Sequence, residues 1–107
     1  MHWIYLSFAI VFEVAGTTAM KLSDGFSKLL PTALTITLYL ASFALLALAL
    51  KRLEVGMTYA IWAGIGTALI AIIGVFFFKE PMNLLKAASI LLIIAGVIGL
   101  NLSGAKA

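Results

Sequence analysis

The sequence predicts an all-α integral membrane protein with four transmembrane helices, and three observations support this prediction. Hydrophobic residues make up 64% of the 107-residue chain and charged residues only 10%, whereas soluble domains average about half apolar and about a quarter charged residues. The apolar residues fall into four runs, each near the roughly 20 residues that a helix needs to cross a bilayer. Charged residues with Gly or Pro separate the runs. We therefore expect one multi-pass domain over residues 1–107, in the inner (plasma) membrane of a cell.

The first span is expected over residues 3–20, where the apolar run begins with Trp3 and Tyr5, aromatic residues typical of the membrane interface. A cleaved signal peptide is the alternative interpretation of this segment. Such a peptide begins with a basic region, whereas residues 1–12 contain no Lys or Arg. We therefore interpret the run as a helix that is retained in the mature protein.

The second span is expected over residues 31–50, because Pro31 suits the first turn of a helix. The third and fourth spans are expected over residues 57–78 and 85–102. Pro81 lies between them and favours a break in the helical structure there. The segments between spans are short, so consecutive helices are expected to cross the membrane in opposite directions.

The basic residues do not give the chain a decided orientation in the membrane. If the spans alternate, the N-terminus, the second loop and the C-terminus lie on one side of the bilayer. That side carries three basic residues and the other carries four, namely Lys51, Arg52 and Lys106 against Lys21, Lys28, Lys79 and Lys86. The positive-inside rule therefore finds almost no bias. We interpret the balance as insertion in both orientations and pairing with an inverted copy, although a single residue or the lipids could still fix one orientation.

The composition argues against several other classes of function. The chain contains no cysteine and a single histidine, His2, so neither a disulfide framework nor a metal site is expected. We also expect no cofactor and no enzymatic activity, because no nucleophile with a base, metal cluster or phosphate loop is recognisable. The net charge is +3, but the cations are isolated between apolar runs. They indicate membrane anchors rather than a nucleic-acid surface.

Glu13 is the only acidic residue within the four predicted spans. Placing an acid at the centre of a transmembrane helix costs roughly 2.5–3.5 kcal/mol on the insertion scale, so such residues are usually functional. A carboxyl group there can bind a proton or an organic cation, but not both together. This residue therefore predicts exchange of protons for cations. The alternative is a protonated side chain that only hydrogen-bonds a neighbouring helix.

Residues three and four positions from Glu13 share its helical face. They include Ala9, Ile10, Gly16 and Thr17. Ala9 and Gly16 are small and leave space beside the carboxyl group, and Thr17 supplies a hydroxyl. Small residues in a span more often indicate close helix packing, but beside an acid the same space can hold a ligand.

The third span contains an aromatic pair, Tyr59 and Trp62, that is three residues apart. Such a pair can stack against an organic cation, a contact worth about 0.5–2 kcal/mol. The alternative is that the two rings only pack in the protein interior or at an interface. Gly64 and Gly66 follow closely, and we expect them to let this helix bend.

The second and fourth spans add weaker signals. Tyr39 and Ser42 are also three residues apart and could orient the carboxyl group through their hydroxyls. The fourth span has no acid and no aromatic residue, but Ser89, Gly96 and Gly99 form a groove of small residues. Because small residues allow close approach of helices, we interpret this span as the dimerisation helix.

Together these residues resemble the small multidrug resistance family of four-helix, proton-coupled exporters. The resemblance covers nearly the whole chain. It is carried by "FEVAGTTAMKLSDGFSKLLP", "YLASFALL", "GMTYAIWAGIG" and "FKEPMNLLKAASILLIIAGVIGLNL". It implies an antiparallel, dual-topology homodimer that works by alternating access, in which the two copies of Glu13 bind protons or substrate in turn. The partners are then a second copy of the chain, organic cations, protons and the lipid bilayer.

The resemblance also implies roles for individual residues. Glu13 matches the essential carboxylate of the family, and Trp62 and Tyr59 match its aromatic substrate contacts. Tyr39 and Thr17 match the polar lining of the substrate site, and the packing face beside the acid is matched by Ala9, Ile10 and Gly16. Gly64 and Gly66 match the bend of the third helix. Ser42 is a further expected substrate-binding residue.

Three alternatives for the function stay open. Guanidinium exporters of the family typically have Trp three residues after the essential Glu, where this chain has Gly16, which favours export of quaternary ammonium and polyaromatic cations. Ser42 and "FKEP" are nevertheless shared with the guanidinium subtype. Other members work as heteromers that move polyamines, usually with decided charge biases. A structural or regulatory membrane subunit without transport activity is the remaining hypothesis.

Overall fold

The computed structural model describes residues 2–103, which form the helices α1 (His2–Leu22), α2 (Leu29–Ala49), α3 (Val55–Phe77) and α4 (Leu84–Leu102). All four are long and apolar enough to cross a membrane. The predicted all-α fold with four spans is therefore confirmed, and no helix boundary differs from its predicted position by more than two residues. Lys106, which contributed to the charge balance, lies outside the described residues.

The chain divides into two compact units, Met1–Leu53 and Glu54–Ala107. The first unit pairs α1 with α2 and the second pairs α3 with α4. Each unit is a helical hairpin, a pair of long apolar helices joined by a short turn.

In the first hairpin, α2 contributes a stripe of small buried residues at seven-residue intervals: Thr35, Ser42 and Ala49. The fully buried Ala9 lies on α1, and the Ser42 hydroxyl donates a hydrogen bond of 2.6 Å to its carbonyl oxygen. Small side chains let helix backbones approach closely in a membrane. The helices α1 and α2 therefore pack tightly along this stripe.

The turn between α1 and α2 contains three consecutive residues with left-handed backbone angles. Asp24, Gly25 and Phe26 have φ values of 52°, 70° and 67°. Gly adopts this conformation freely and Asp tolerates it, but an aromatic residue rarely does. The buried Ser23 supports the turn, because its hydroxyl oxygen accepts a 3.0 Å hydrogen bond from the Phe26 N–H.

In the second hairpin, α3 and α4 approach each other closely at Gly64. A Cβ atom at this position would lie 2.6 Å from a methyl carbon of Val97 on α4, so a larger residue would not fit without movement. The helix α3 is continuous through Gly64 and Gly66, and the bend expected there stays a prediction. Asn83 caps the start of α4, where its side chain accepts a 2.8 Å hydrogen bond from the Lys86 N–H.

Candidate functional site

The candidate site lies in the first hairpin, around Glu13 near the middle of α1. Thr17 follows one helical turn later, and its hydroxyl donates a 2.8 Å hydrogen bond to the Glu13 carboxylate oxygen Oε2. The hydroxyl of Tyr39, on α2, lies 2.5 Å from the Thr17 hydroxyl. All three side chains are partly buried. The structure therefore connects three of the sequence-predicted residues in one continuous chain of hydrogen bonds.

Gly16 provides the space in which the Tyr39 ring lies. A Cβ atom on Gly16 would be only 2.6 Å from the ring carbons Cδ1 and Cε1 of Tyr39, whereas real Cβ atoms essentially never come closer than about 3.0 Å to another heavy atom. From its small size alone, Gly16 was expected to leave space beside the carboxyl group of Glu13. The structure places an aromatic ring there, and this contact between the two helices was not predicted.

Ala9, Ile10 and Ser42 lie on the buried side of the hairpin. Ala9 and Ser42 are fully buried and Ile10 nearly so. The Ser42 hydroxyl donates to the Ala9 carbonyl oxygen rather than to Glu13. In this conformation Ser42 therefore joins α2 to α1, while the hydroxyls of Thr17 and Tyr39 form the chain to the carboxylate.

The aromatic pair of α3 is present in the second hairpin. The ring centroids of Tyr59 and Trp62 lie 5.6 Å apart with the ring planes at 60°, an edge-to-face arrangement. Such a contact is favourable because the positive edge of one ring meets the negative face of the other. Tyr59 is 61% exposed, whereas Trp62 is partly buried. One ring of the pair is thus accessible to a ligand or to a second chain.

The small residues of α4 lie on an open surface of the second hairpin. No residue of α4 is buried, and a Cβ atom added to Gly96 or Gly99 would meet no atom within 4 Å. The Ser89 hydroxyl donates to the Leu85 carbonyl oxygen of its own helix. The three residues are therefore available for contact, and their role in dimerisation stays a prediction.

A carboxyl group in this setting can bind one positive ligand at a time. Its Oε2 atom accepts the Thr17 hydrogen bond, and the side chain remains partly accessible. A low-dielectric environment penalises an unpaired charge strongly. An ionised carboxylate at this position therefore gains from a positively charged partner, whereas a neutral carboxyl group does not.

Comparison with known proteins identifies relatives along nearly the entire chain. The model of the family described as Small Multidrug Resistance protein matches residues 1–93. The quaternary ammonium compound-resistance protein QacH of Staphylococcus saprophyticus is 47% identical over 99% of this chain and 99% of its own length. The guanidinium exporter of Escherichia coli K12 is 45% identical over 96% of this chain and 98% of its own. The uncharacterized membrane protein YvaE of Bacillus subtilis is 51% identical over 95% of this chain and 86% of its own.

Proposed function

The chain belongs to the small multidrug resistance family of multi-pass membrane transporters, and on this premise we propose that it exports hydrophobic organic cations in exchange for protons. The observation that carries this proposal is Glu13. It is the only acidic residue within the four helices, and it is hydrogen-bonded near the middle of α1. An acid that is costly to place in a membrane is expected to be retained for function.

Exchange follows from competition for the same carboxylate. A proton neutralises Glu13 and removes the charge that attracts an organic cation. A bound cation, in turn, favours the ionised form and drives the proton away. If the site opens to one side of the membrane at a time, an inward proton gradient can therefore drive outward movement of the cation.

We further propose that two copies of the chain in opposite orientations form the transporter. Four helices leave little room for a water-filled cavity that is screened from lipid on all sides. The nearly equal numbers of basic residues on the two sides of the membrane support insertion in both orientations. The open, small-residue surface of α4 offers a contact for the second copy.

Quaternary ammonium and polyaromatic cations are the substrate class that the residues favour. The edge-to-face pair of Tyr59 and Trp62 can stack against such cations through cation–π contacts. Gly16 also departs from the Trp that the guanidinium subtype typically has at this position. Relatives of nearly equal identity are named for quaternary ammonium resistance and for guanidinium export, so export of guanidinium compounds is the second candidate.

The proposal is tested by measuring cation binding and proton movement together. We expect tetrapropylammonium to bind purified protein more weakly as the pH falls from about 9 to about 5, because protons compete for the carboxylate. In proteoliposomes, an outward gradient of the cation should drive protons inward. Guanidinium is assayed side by side, and faster exchange of guanidinium would favour the second candidate. Binding that is independent of pH, without coupled proton movement, would contradict the exchange mechanism.

A second prediction concerns Trp62. Replacing Trp62 with Ala should weaken binding of a large aromatic cation such as ethidium by about fivefold to thirtyfold, because a cation–π contact is worth about 1–2 kcal/mol when partly desolvated. Tetrapropylammonium also loses a cation–π contact with the indole, but it has no aromatic ring to stack on Trp62, so its affinity should fall less. Isothermal titration of both ligands measures the difference, with Trp3→Ala at the start of α1 as the matched control. Equal losses for the two ligands would argue against stacking.

A further inference from the structure

We propose that Tyr39 is a positioning residue for Glu13, which it controls through Thr17, and that the missing side chain of Gly16 permits this arrangement. The inference rests on the proposed function of Glu13 and adds to it a means of setting the balance between cation and proton. The three side chains form a hydrogen-bond chain with a defined direction. That direction follows from counting the hydrogen atoms.

The Thr17 hydroxyl has a single hydrogen. It is donated to the Glu13 carboxylate over 2.8 Å. While Glu13 is ionised and accepts this hydrogen, the donor in the 2.5 Å contact between Thr17 and Tyr39 is therefore the Tyr39 hydroxyl, and the Thr17 oxygen accepts. Both hydrogens of the chain consequently point toward the carboxylate.

Hydrogen bonds with this direction stabilise the ionised carboxylate of Glu13 more than its protonated form. A hydrogen bond donated to a carboxylate favours its charged form, and linked hydrogen bonds polarise and strengthen one another. Cation binding leaves the carboxylate charged and the chain intact. Proton binding removes the charge that the chain is oriented to stabilise. The Tyr39 hydroxyl therefore biases Glu13 toward the organic cation.

Other titratable groups of the first hairpin are poorly placed to influence the charge of Glu13. Along α2, which packs against α1, Tyr39 is the only titratable side chain. The remaining groups are at the two ends of the hairpin, in its turn or in the segment after it: His2, Tyr5, Lys21, Asp24, Lys28, Lys51 and Arg52. Within this hairpin, the control of Glu13 thus falls to Tyr39 and Thr17.

The hydrogen bonds from Tyr39 through Thr17 to Glu13 depend on the absence of a side chain at Gly16. Even the methyl group of Ala would have its carbon 2.6 Å from the Tyr39 ring, so the ring would have to move away from α1. Its hydroxyl would then leave the short contact with Thr17. Substitution of Gly16 should therefore reproduce the effect of removing the Tyr39 hydroxyl, although the two residues differ in chemistry.

The test measures the pH at which cation binding is half-maximal. Tyr39→Phe keeps the ring against Gly16 but removes the hydroxyl. We expect the half-maximal pH to rise by about 0.4–1 unit, since a hydrogen bond contributes about 0.5–1.5 kcal/mol. Gly16→Ala should shift the half-maximal pH in the same direction. The double variant Gly16→Ala/Tyr39→Phe should shift it no further, because both substitutions remove the same hydrogen bond between Tyr39 and Thr17.

Matched variants separate positioning from a merely structural role. Tyr5→Phe removes a hydroxyl of the same hairpin that takes no part in the hydrogen bonds to Glu13, and it should leave the half-maximal pH unchanged. Thr17→Val should raise it, whereas Thr17→Ser, which keeps the hydroxyl, should restore the wild-type value. An unchanged half-maximal pH in Tyr39→Phe would overturn the inference.

A second measurement keeps the inference testable if the proposed function fails. The carboxyl carbon of Glu13 can be titrated directly by nuclear magnetic resonance in detergent, without any substrate. Its midpoint should rise in Tyr39→Phe by the same amount as in the binding assay. Wild-type binding without pH dependence would contradict proton–cation exchange, whereas an unmoved carboxyl midpoint would contradict the role of Tyr39.

Discussion

Replacing Glu13 with Gln should reduce the affinity for organic cations by at least about 100-fold and abolish the coupled movement of protons. The amide keeps the size of the side chain but cannot carry a negative charge. Removing one member of a buried charge pair typically costs about 3–5 kcal/mol, which corresponds to more than a 100-fold change in affinity. Whatever binding remains should no longer depend on pH.

The matched control for this variant is Glu54→Gln, which removes the same charge outside the helices. Glu54 precedes the first residue of α3, and its side chain makes no capping hydrogen bond there. Both variants are compared by equilibrium binding of tetrapropylammonium and by proton uptake into proteoliposomes. Unchanged transport in Glu13→Gln would refute the proposed function. Equal losses of affinity in both variants would show that the effect comes from the overall charge of the protein and not from the position of Glu13.

Replacing Ala9 with Leu should separate the helices of the first hairpin and destabilise the protein. Ala9 is 0% exposed, and its carbonyl oxygen accepts the 2.6 Å hydrogen bond from Ser42. Extra carbon atoms in a tightly packed interior cost about 1–3 kcal/mol. We expect a lower thermal midpoint in detergent, measured by circular dichroism, together with weaker cation binding.

Val11→Leu is the matched control for this change, because Val11 lies on the same helix and is 54% exposed. Its larger side chain should enter lipid or detergent without displacing α2, and the thermal midpoint should stay unchanged. A similar loss in both variants would show that α1 tolerates no added volume on either side. An unaffected thermal midpoint in Ala9→Leu would contradict tight packing of α1 against α2.

The helices could be predicted from sequence because lipid leaves the backbone few choices. Every N–H and C=O group inside a bilayer must be satisfied within the protein, so long apolar runs form helices. The positions of Glu13 and Thr17 relative to each other also follow from sequence. Residues four apart on one helix share a face whatever surrounds the helix.

The contacts between helices could not be predicted in the same way. Spacing along α2 places Tyr39 and Ser42 on one face but does not say which residues of α1 they meet. That depends on the rotation and axial position of one helix against the other. The Tyr39 ring over Gly16 and the Ser42 hydrogen bond to the Ala9 carbonyl are therefore properties of the folded hairpin that neither helix specifies alone.

The backbone conformation at two non-glycine positions could not be predicted from residue type either. Phe26 and Lys79 adopt positive φ angles, although neither residue type favours them. At Phe26 the hydrogen bond to Ser23 supports this conformation. Such a choice depends on local hydrogen bonds rather than on the preferences of the residue itself.

The bond between Ser42 and the Ala9 carbonyl has no titratable partner, so acidity cannot loosen it. The same holds for the close contact of Gly16 with the Tyr39 ring. In the proposed exchange, these two contacts would hold α1 against α2 while the occupant of Glu13 changes. Both contacts between α1 and α2 would then persist whichever protonation state Glu13 has.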